Sequence, residues 1–324
     1  MSFVGVDIAK ATLDAALPLD NGKYRTRSKF ANTPQGHIEF VAWLATHAPQ
    51  AAVAMEATGT YHERLADTLV QHGVTVLVIN PAQIAAYAKS ELSRTKTDRT
   101  DAKLIARFCL AQQASQHPLR AYVPLTPALR RLRALVQRRD DLLEMRQMER
   151  NRREEADASV HASIDQLLKT LDEQIATAER AIRDHIDNDP DLRQRRDLLD
   201  SIPGIGDTTS SWLLACLGDT RQFTDVRQLV AFVGLNPRIR QSGVWKGHTR
   251  ISKTGSPQLR AKLYFPAIVA SRHNPVIRDF CAGLARRGKP NMVVVVAAMR
   301  KLLHLVWGVL RSGTPFTPKA ALAG

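Results

Sequence analysis

The chain has 324 residues, enough for two or three domains each with its own core. With 46 Lys and Arg against 31 Asp and Glu, its formal net charge is +15, which points to a polyanionic partner: DNA, RNA or both. The three cysteines, Cys109, Cys216 and Cys281, lie far apart with no CxxC pair, which argues against zinc knuckles and disulfide frameworks and fits a reducing, cytoplasmic setting. "MSFVGVDIAK" lacks the basic and long apolar regions of a signal peptide, and the longest apolar stretch, "MVVVVAAM" (Met292–Met299), is too short to cross a bilayer. A cytoplasmic protein without a membrane anchor is expected.

Strand and helix signals alternate over the first 125 residues. "FVGVDIA", "LDAALPL" and "YRTRSKFAN" read as three strands. "TPQGHIEFVAWLATHA" reads as a helix capped by Thr33 with Pro34 at its first position. "AAVAMEA" is another buried strand, "YHERLADTLVQHG" a helix stopped by Gly73, and "VTVLVIN" a further strand. A helix opens near Asp98, giving a mixed α/β sheet domain. From Pro127 to Asp189 there is no glycine, and the texture is that of long helices. Ile164, Leu168, Leu171, Ile175, Ala178 and Ile182 are spaced 4, 3, 4, 3, 4, a coiled-coil seam that serves either a helical hairpin or a dimerising arm. A second globular region follows "DNDPDL"; its "IPGIG" turn between apolar helices looks like a helix-hairpin-helix, where amides at a helix N-terminus can face phosphate.

Four acidic residues stand out. Asp7 and Glu56 end two strands that are otherwise apolar, and a buried carboxylate is costly unless it is paired or binds metal. Asp98 and Asp101, in "SRTKTDRTDAKLIARFC", are i and i+3 and share a helix face. Either pair alone is satisfied by capping and the helix dipole. Together, a helix laid across the sheet would converge four hard oxygen donors suited to Mg²⁺ or Mn²⁺ and a phosphodiester.

This order of acids, on the first strand, the fourth strand and a late helix, resembles the RNase H-like fold of RuvC-type nucleases. The words "VGVDIAK", "MEATGTYH" and "KTDRTDAKLIA" resemble more narrowly the DEDD-type insertion-sequence transposases, a family related to the Piv pilin-gene invertase and including bridge-RNA-guided recombinases. The resemblance implies three parts: a RuvC-like domain over 1–125, a coiled-coil or helical dimerisation arm over 126–191, and a mainly α-helical transposase domain over 192–324.

The second informative stretch is "FVGLNPRIRQSGVWKGHTRISKTGSPQLRAKLY" (Phe232–Tyr264). Residues 221–260 hold eight Lys or Arg and one Asp, so the segment is a basic, phosphate-gripping loop. Gly234, Gly243, Gly247 and Gly255 make tight turns that bring amides close to a ligand. Arg240, Lys246, Arg250 and Lys253 are the candidate phosphate contacts. On chemistry alone Ser242, before a glycine, is ordinarily a turn residue. The family resemblance identifies it as the proposed nucleophile, forming a phosphoserine–DNA intermediate. The resemblance further implies dimers assembling into a tetramer with composite sites, donor and target DNA as substrates, and a structured non-coding guide RNA.

Other matches carry less. "SRTK" and "KTG" lack the rest of a penicillin-binding signature, and no Walker A or GxGxxG loop occurs. His62 and His248 read as phosphate contacts rather than metal ligands, and Trp245, Tyr264 and Phe265 as core. The competing readings are a RuvC-like junction resolvase or nuclease that uses metal-activated water, and a non-catalytic nucleic-acid-binding protein.

Overall fold

The computed structural model describes residues 2–57, 59–91, 98–116, 119–218, 220, 223–238, 241–242, 245–246 and 250–318. The chain divides into two compact units between Pro124 and Leu125.

The first unit is built on a five-stranded sheet. Three antiparallel strands, β1 (Phe3–Ile8), β2 (Thr12–Pro18) and β3 (Tyr24–Ala31), are followed by helix α1 (Pro34–His47). Then come β4 (Ala52–Glu56), α2 (Glu63–Gln71), β5 (Val76–Ile79), α3 (Pro81–Ser90) and α4 (Asp98–Ala114). The sheet order is β3-β2-β1-β4-β5, with β4 parallel to β1 and β5 parallel to β4. This is the mixed sheet expected of a RuvC/RNase H-like domain.

Side chains on successive strand residues point to opposite faces, and the two faces have different covers. Val4, Val6, Val53 and Met55 pack with Phe40, Trp43, Leu65 and Leu69 of α1 and α2. Phe3, Ala52 and Ala54 pack with Leu104, Ile105, Phe108 and Cys109 of α4. The small residues on this second face let α4 lie close: a Cβ built on Gly5 would sit 2.0 Å from the Ala102 carbonyl oxygen and 2.6 Å from the Ala106 nitrogen. The Thr33 hydroxyl caps α1 as expected, accepting from Gly36 N at 3.3 Å. Helix α3 is an addition to the expected elements. Asn80 caps it by accepting from Ala82 N at 2.8 Å, and Pro81 fills its first position.

The second unit is helical around a short-stranded arm. Its elements are α5 (Pro127–Glu155), α6 (His161–Asp187), α7 (Pro190–Asp200), α8 (Asp207–Leu217) and α9 (Val226–Val233). Then follow β6 (Pro237–Arg238), β7 (Gln241–Ser242), β8 (Trp245–Lys246), β9 (Arg250–Ile251), α10 (Pro257–His273), α11 (Pro275–Arg286) and α12 (Asn291–Ser312). The 3.5-residue seam of α6 meets α5 of the same chain: Leu171 and Ile175 cluster with Leu142, while Ile182 joins Leu132 and Val136 in the main core. An Arg146–Asp172 ion pair at 2.9 Å and an Arg153–Asp165 pair tie the two helices on the outside.

At 22 residues, α12 is longer than its apolar stretch and meets the length and composition of a membrane span. Its Ala298, Leu302, Leu303 and Val306 are fully buried in the unit's core instead. All three cysteines are free, and burial pushes the Cys109 thiol up to about 12 and that of Cys216 to about 11, so both are held protonated.

Candidate active site

In the first unit the parallel register pairs Val6 with Met55, so the next residues along, Asp7 and Glu56, stand side by side on adjacent strands. Both follow Gly5 and Ala54 in the alternation and therefore share the face that α4 covers. Both are half-buried. Asp98 is the first residue of α4, and Asp101 immediately precedes the alanine whose carbonyl lies against Gly5. The approach at Gly5 thus sets the first turn of α4 against the strand that carries Asp7, two residues from it. Asp7, Glu56 and Asp101 each take part in a hydrogen bond or ionic contact.

Two anchors hold this arrangement. Arg107 of α4 pairs with Glu91, at the end of α3, at 3.0 Å, and Phe108 packs edge-to-face on Tyr87 with ring centroids 5.6 Å apart. Burial, then the neighbouring Glu91, pushes the Tyr87 hydroxyl up to about 12. The ion pair is partly exposed and stabilises little by itself, so the ring contact and the burial of Leu104 and Ile105 hold the helix. On the other side, Asn32 ties together the loops that follow the acidic strands. Its amide nitrogen donates to Ala9 O at 3.0 Å and to Tyr61 O at 3.4 Å, and its Oδ1 lies 2.7 Å from His37 Nε2.

His37 is fully buried, and its pKa is lowered by that burial and then by Arg64. The folded state therefore resists a proton that the unfolded chain takes up. The stabilisation is complete above about pH 6.5 and is lost as pH falls through the lowered value. The wild-type melting midpoint is expected to fall between pH 7 and pH 5 more steeply than that of His37→Gln, which thermal melts at the two pH values will measure.

His62, expected to contact phosphate, is buried at the start of α2 and engaged within the protein; His248 lies outside the described residues. One acidic residue escaped the sequence reading. Asp14 of β2 is directly opposite Asp7 of β1, and is 8% exposed. Asp14, Asp7 and Glu56 form a row across three neighbouring strands. Such carboxylates are hard-oxygen ligands. Among the described residues no three His, Cys, Asp or Glu side chains lie close enough to hold an ion.

In the second unit, β6 pairs with β9 and β7 with β8, all antiparallel, so the basic stretch forms a nested hairpin arm. Ser242 ends β7 opposite Trp245, and Gln241 is opposite Lys246. At the base of the arm Arg238 faces Arg250, both exposed. Like charges directly opposite are unfavourable unless an anion lies between them, so the register adds Arg238 to the basic set. Lys253 is exposed with φ 56°, an uncommon backbone for a lysine. Arg240 lies outside the described residues, as do Gly243 and Gly247.

The arm is fixed to its unit at the foot. Ser252 donates its hydroxyl to Asn236 Oδ1 at 2.6 Å, and Arg260 donates to Val233 O at 2.9 Å and to Gly255 O at 3.2 Å. The amide of Gly234 serves the cap of α9, and Gly255 packs on Phe232 O, so these two glycines serve the chain's own packing rather than a ligand. The "IPGIG" turn likewise packs closely: Gly204, with φ 107°, leaves no room for a Cβ against Ala270. The N-terminus of α8 adjoins a cavity of about 170 Å³ whose lining includes Arg139, Arg183 and Arg196. Tyr264 packs on the core as expected, whereas Phe265 is 73% exposed.

Acids on two adjacent strands and one helix, with a basic serine-bearing arm elsewhere in the chain, define a DEDD-type transposase architecture. A family model for DEDD transposases of the IS110 type matches residues 4–156, and a second, described as Transposase IS116/IS110/IS902 family, matches residues 196–282. The chain is 33% identical over 320 residues to the pilin gene-inverting protein of Moraxella bovis, covering 97% of both. It is 27% identical to the transposase for insertion sequence element IS1328 of Yersinia enterocolitica, covering 98% of this chain and 99% of that one. RuvC of Thermus thermophilus in complex with a Holliday junction aligns over 38% of this chain and 100% of its own, at 17% identity and a TM-score of 0.28. The chain belongs to the DEDD transposase family of insertion sequences that includes the pilin gene-inverting proteins.

Proposed function

We propose that this chain is a DNA recombinase or transposase that cuts and rejoins DNA, using the acidic face of its first unit and Ser242 of its second. The observation that carries this reading is the side-by-side register of Asp7 and Glu56 on the face covered by α4, the helix of Asp98 and Asp101. Family membership over nearly the whole chain supports it independently. Asp7, Glu56, Asp98 and Asp101 would hold Mg²⁺ or Mn²⁺, which neutralises charge at the scissile phosphate and favours ionisation of the attacking hydroxyl.

The Ser242 oxygen attacks phosphorus and gives up its proton, and the departing DNA oxygen leaves as a hydroxyl. One phosphodiester thus replaces another, and attack by a DNA hydroxyl on the phosphoserine link restores both the DNA and the serine. Arg240, Lys246, Arg250 and Lys253, with Arg238, bind phosphates along the arm. The division of labour follows residues 1–125 for the acids, 126–191 for assembly and 192–324 for the serine. Met145, Met148 and Leu167, 44%, 52% and 44% exposed on the α5–α6 hairpin, supply apolar surface for a homodimer and, from it, a tetramer. A structured guide RNA is the partner that selects donor and target DNA; the net charge of +15 is compatible with binding both nucleic acids. Acting on cellular DNA, such an enzyme works in the cytoplasm.

The test is incubation with Mg²⁺, RNA from the flanking region and DNA spanning the element end. Wild type is expected to give a denaturant-resistant protein–DNA adduct that both Ser242→Ala and Asp101→Ala lose. Cleavage without an adduct that survives Ser242→Ala would replace the serine step with hydrolysis by water.

A further inference from the structure

Strand β3 carries a basic row that neither the acidic face nor the serine arm uses. Lys23, Arg25, Arg27 and Lys29 occupy every second position, and all four are exposed. From Asn21 to Asn32 the sequence has no acidic residue, and none of the four side chains forms an ion pair with the described residues.

The register fixes which way the row looks. Arg25 is opposite Leu17 and Arg27 opposite Ala15, and both partners belong to the core under α1 and α2. Tyr24, next to Arg25, turns to the other face, where the Lys103 ammonium of α4 lies 5.5 Å from its ring centroid. Asp7 and Glu56 share that α4 face, so Arg25 and Arg27 stand on the opposite face, on the strand two places from β1. Phosphates gripped here are therefore not the phosphate at the acids. The Arg27 guanidinium lies 4.5 Å from the Phe30 ring centroid, a contact that orients a charge otherwise left to swing in solvent.

β3 is an edge of the sheet, and charges on an edge strand can serve only to keep other strands from pairing with it. Here a bulge already does that. Between Leu13 and Ala15 the partner in β3 jumps from Phe30 to Arg27, and Lys29 takes φ 62°. Keeping strands apart also requires no particular sign of charge, whereas all four residues are cations. The aromatics of the strand, Tyr24 and Phe30, are half-buried and buried, so no exposed ring offers unpaired bases a stacking platform. Cations without such rings suit a paired backbone.

We infer that Lys23, Arg25, Arg27 and Lys29 form a docking surface for the phosphate backbone of double-stranded DNA, outside the stretch being cut. The row runs for about 20 Å, over which one strand of a duplex presents about six charges. This deepens the proposed function by giving the DNA a second contact on the first unit, and it rests on that reading for the identity of the polyanion.

The test measures binding rather than cleavage. The full chain is titrated with a DNA duplex of arbitrary sequence, about three helical turns long, over a series of salt concentrations. Replacing all four residues with serine is expected to weaken binding on the order of 100-fold at low salt and to make the plot of log K against log salt shallower by about 3 to 4 units. Arg25→Glu with Arg27→Glu keeps a charged edge and should weaken binding still more per residue changed, whereas Arg27→Lys should keep the wild-type slope. Melting midpoints within a degree or two of wild type confirm that these exposed positions leave the fold intact. If the glutamate pair binds DNA with the wild-type slope, the row only protects the edge and this inference alone fails. If the serine variant loses affinity for a structured RNA hairpin but not for the duplex, the assignment to DNA is overturned. If wild type binds no duplex at any salt, the DNA reading of the whole chain fails with it.

Discussion

Replacing Gly5 with alanine is expected to destabilise the first unit by about 3 kcal/mol or more, a drop of about 10 °C in its melting midpoint. The added Cβ would lie 2.0 Å from the Ala102 carbonyl oxygen and 2.6 Å from the Ala106 nitrogen, both backbone atoms of α4. Neither can swing aside as a side-chain tip would. The helix must move off the sheet, carrying Asp98 and Asp101 away from Asp7 and opening the packing of Ile105 and Cys109 on Phe3. Loss of DNA cleavage should therefore accompany the loss of stability. Thermal melts and cleavage assays on the same preparation read both, and an alanine variant with wild-type values for each would show that α4 can be displaced without consequence.

Asp7→Asn should leave the fold intact and lower DNA cleavage by about 10³-fold or more, equivalent to about 4 kcal/mol of transition-state stabilisation. The substitution keeps the shape of a half-buried side chain and removes the charge shared along the row of Asp14, Asp7 and Glu56. Glu56→Gln is expected to act in the same direction. The effects of the two should be far from additive, because either change dismantles one constellation. Single-turnover cleavage with circular dichroism as the folding control measures this. Wild-type cleavage by a folded Asp7→Asn would remove the acidic face from the chemistry.

Much of this was legible in the sequence. Asp7 and Glu56 could be singled out because each interrupts an apolar run, where a carboxylate is anomalous. Asp98 and Asp101 could be paired because helical spacing puts i and i+3 together. Asp14 was not visible in the same way. "LDAALPL" reads as a strand, but only the register of the β1–β2 hairpin shows that its aspartate faces Asp7.

The short arm was hidden for a related reason. Strands of two residues carry no periodicity, so neither the nested pairing nor the Arg238–Arg250 juxtaposition could be inferred from composition. Helix α3 was missed because its only buried residue is Ile84, which leaves the Asn80–Pro81 cap as its sole signal. The seam of α6 was legible as a seam, yet which helix fills it is a tertiary fact, and α5 of the same chain does. Exposure of Phe265 likewise depends on which turn of α10 faces the core.

If Ser242 is the nucleophile, it becomes covalently joined to DNA during recombination. Trapped adduct, digested with nuclease and then protease, can be mapped by tandem mass spectrometry. The expected product is a peptide containing Ser242 whose mass is raised by a phosphodeoxynucleotide, absent from Ser242→Ala and from Asp101→Ala. A nucleotide on any other residue, or fully cleaved DNA with an unmodified Ser242 peptide, would contradict it.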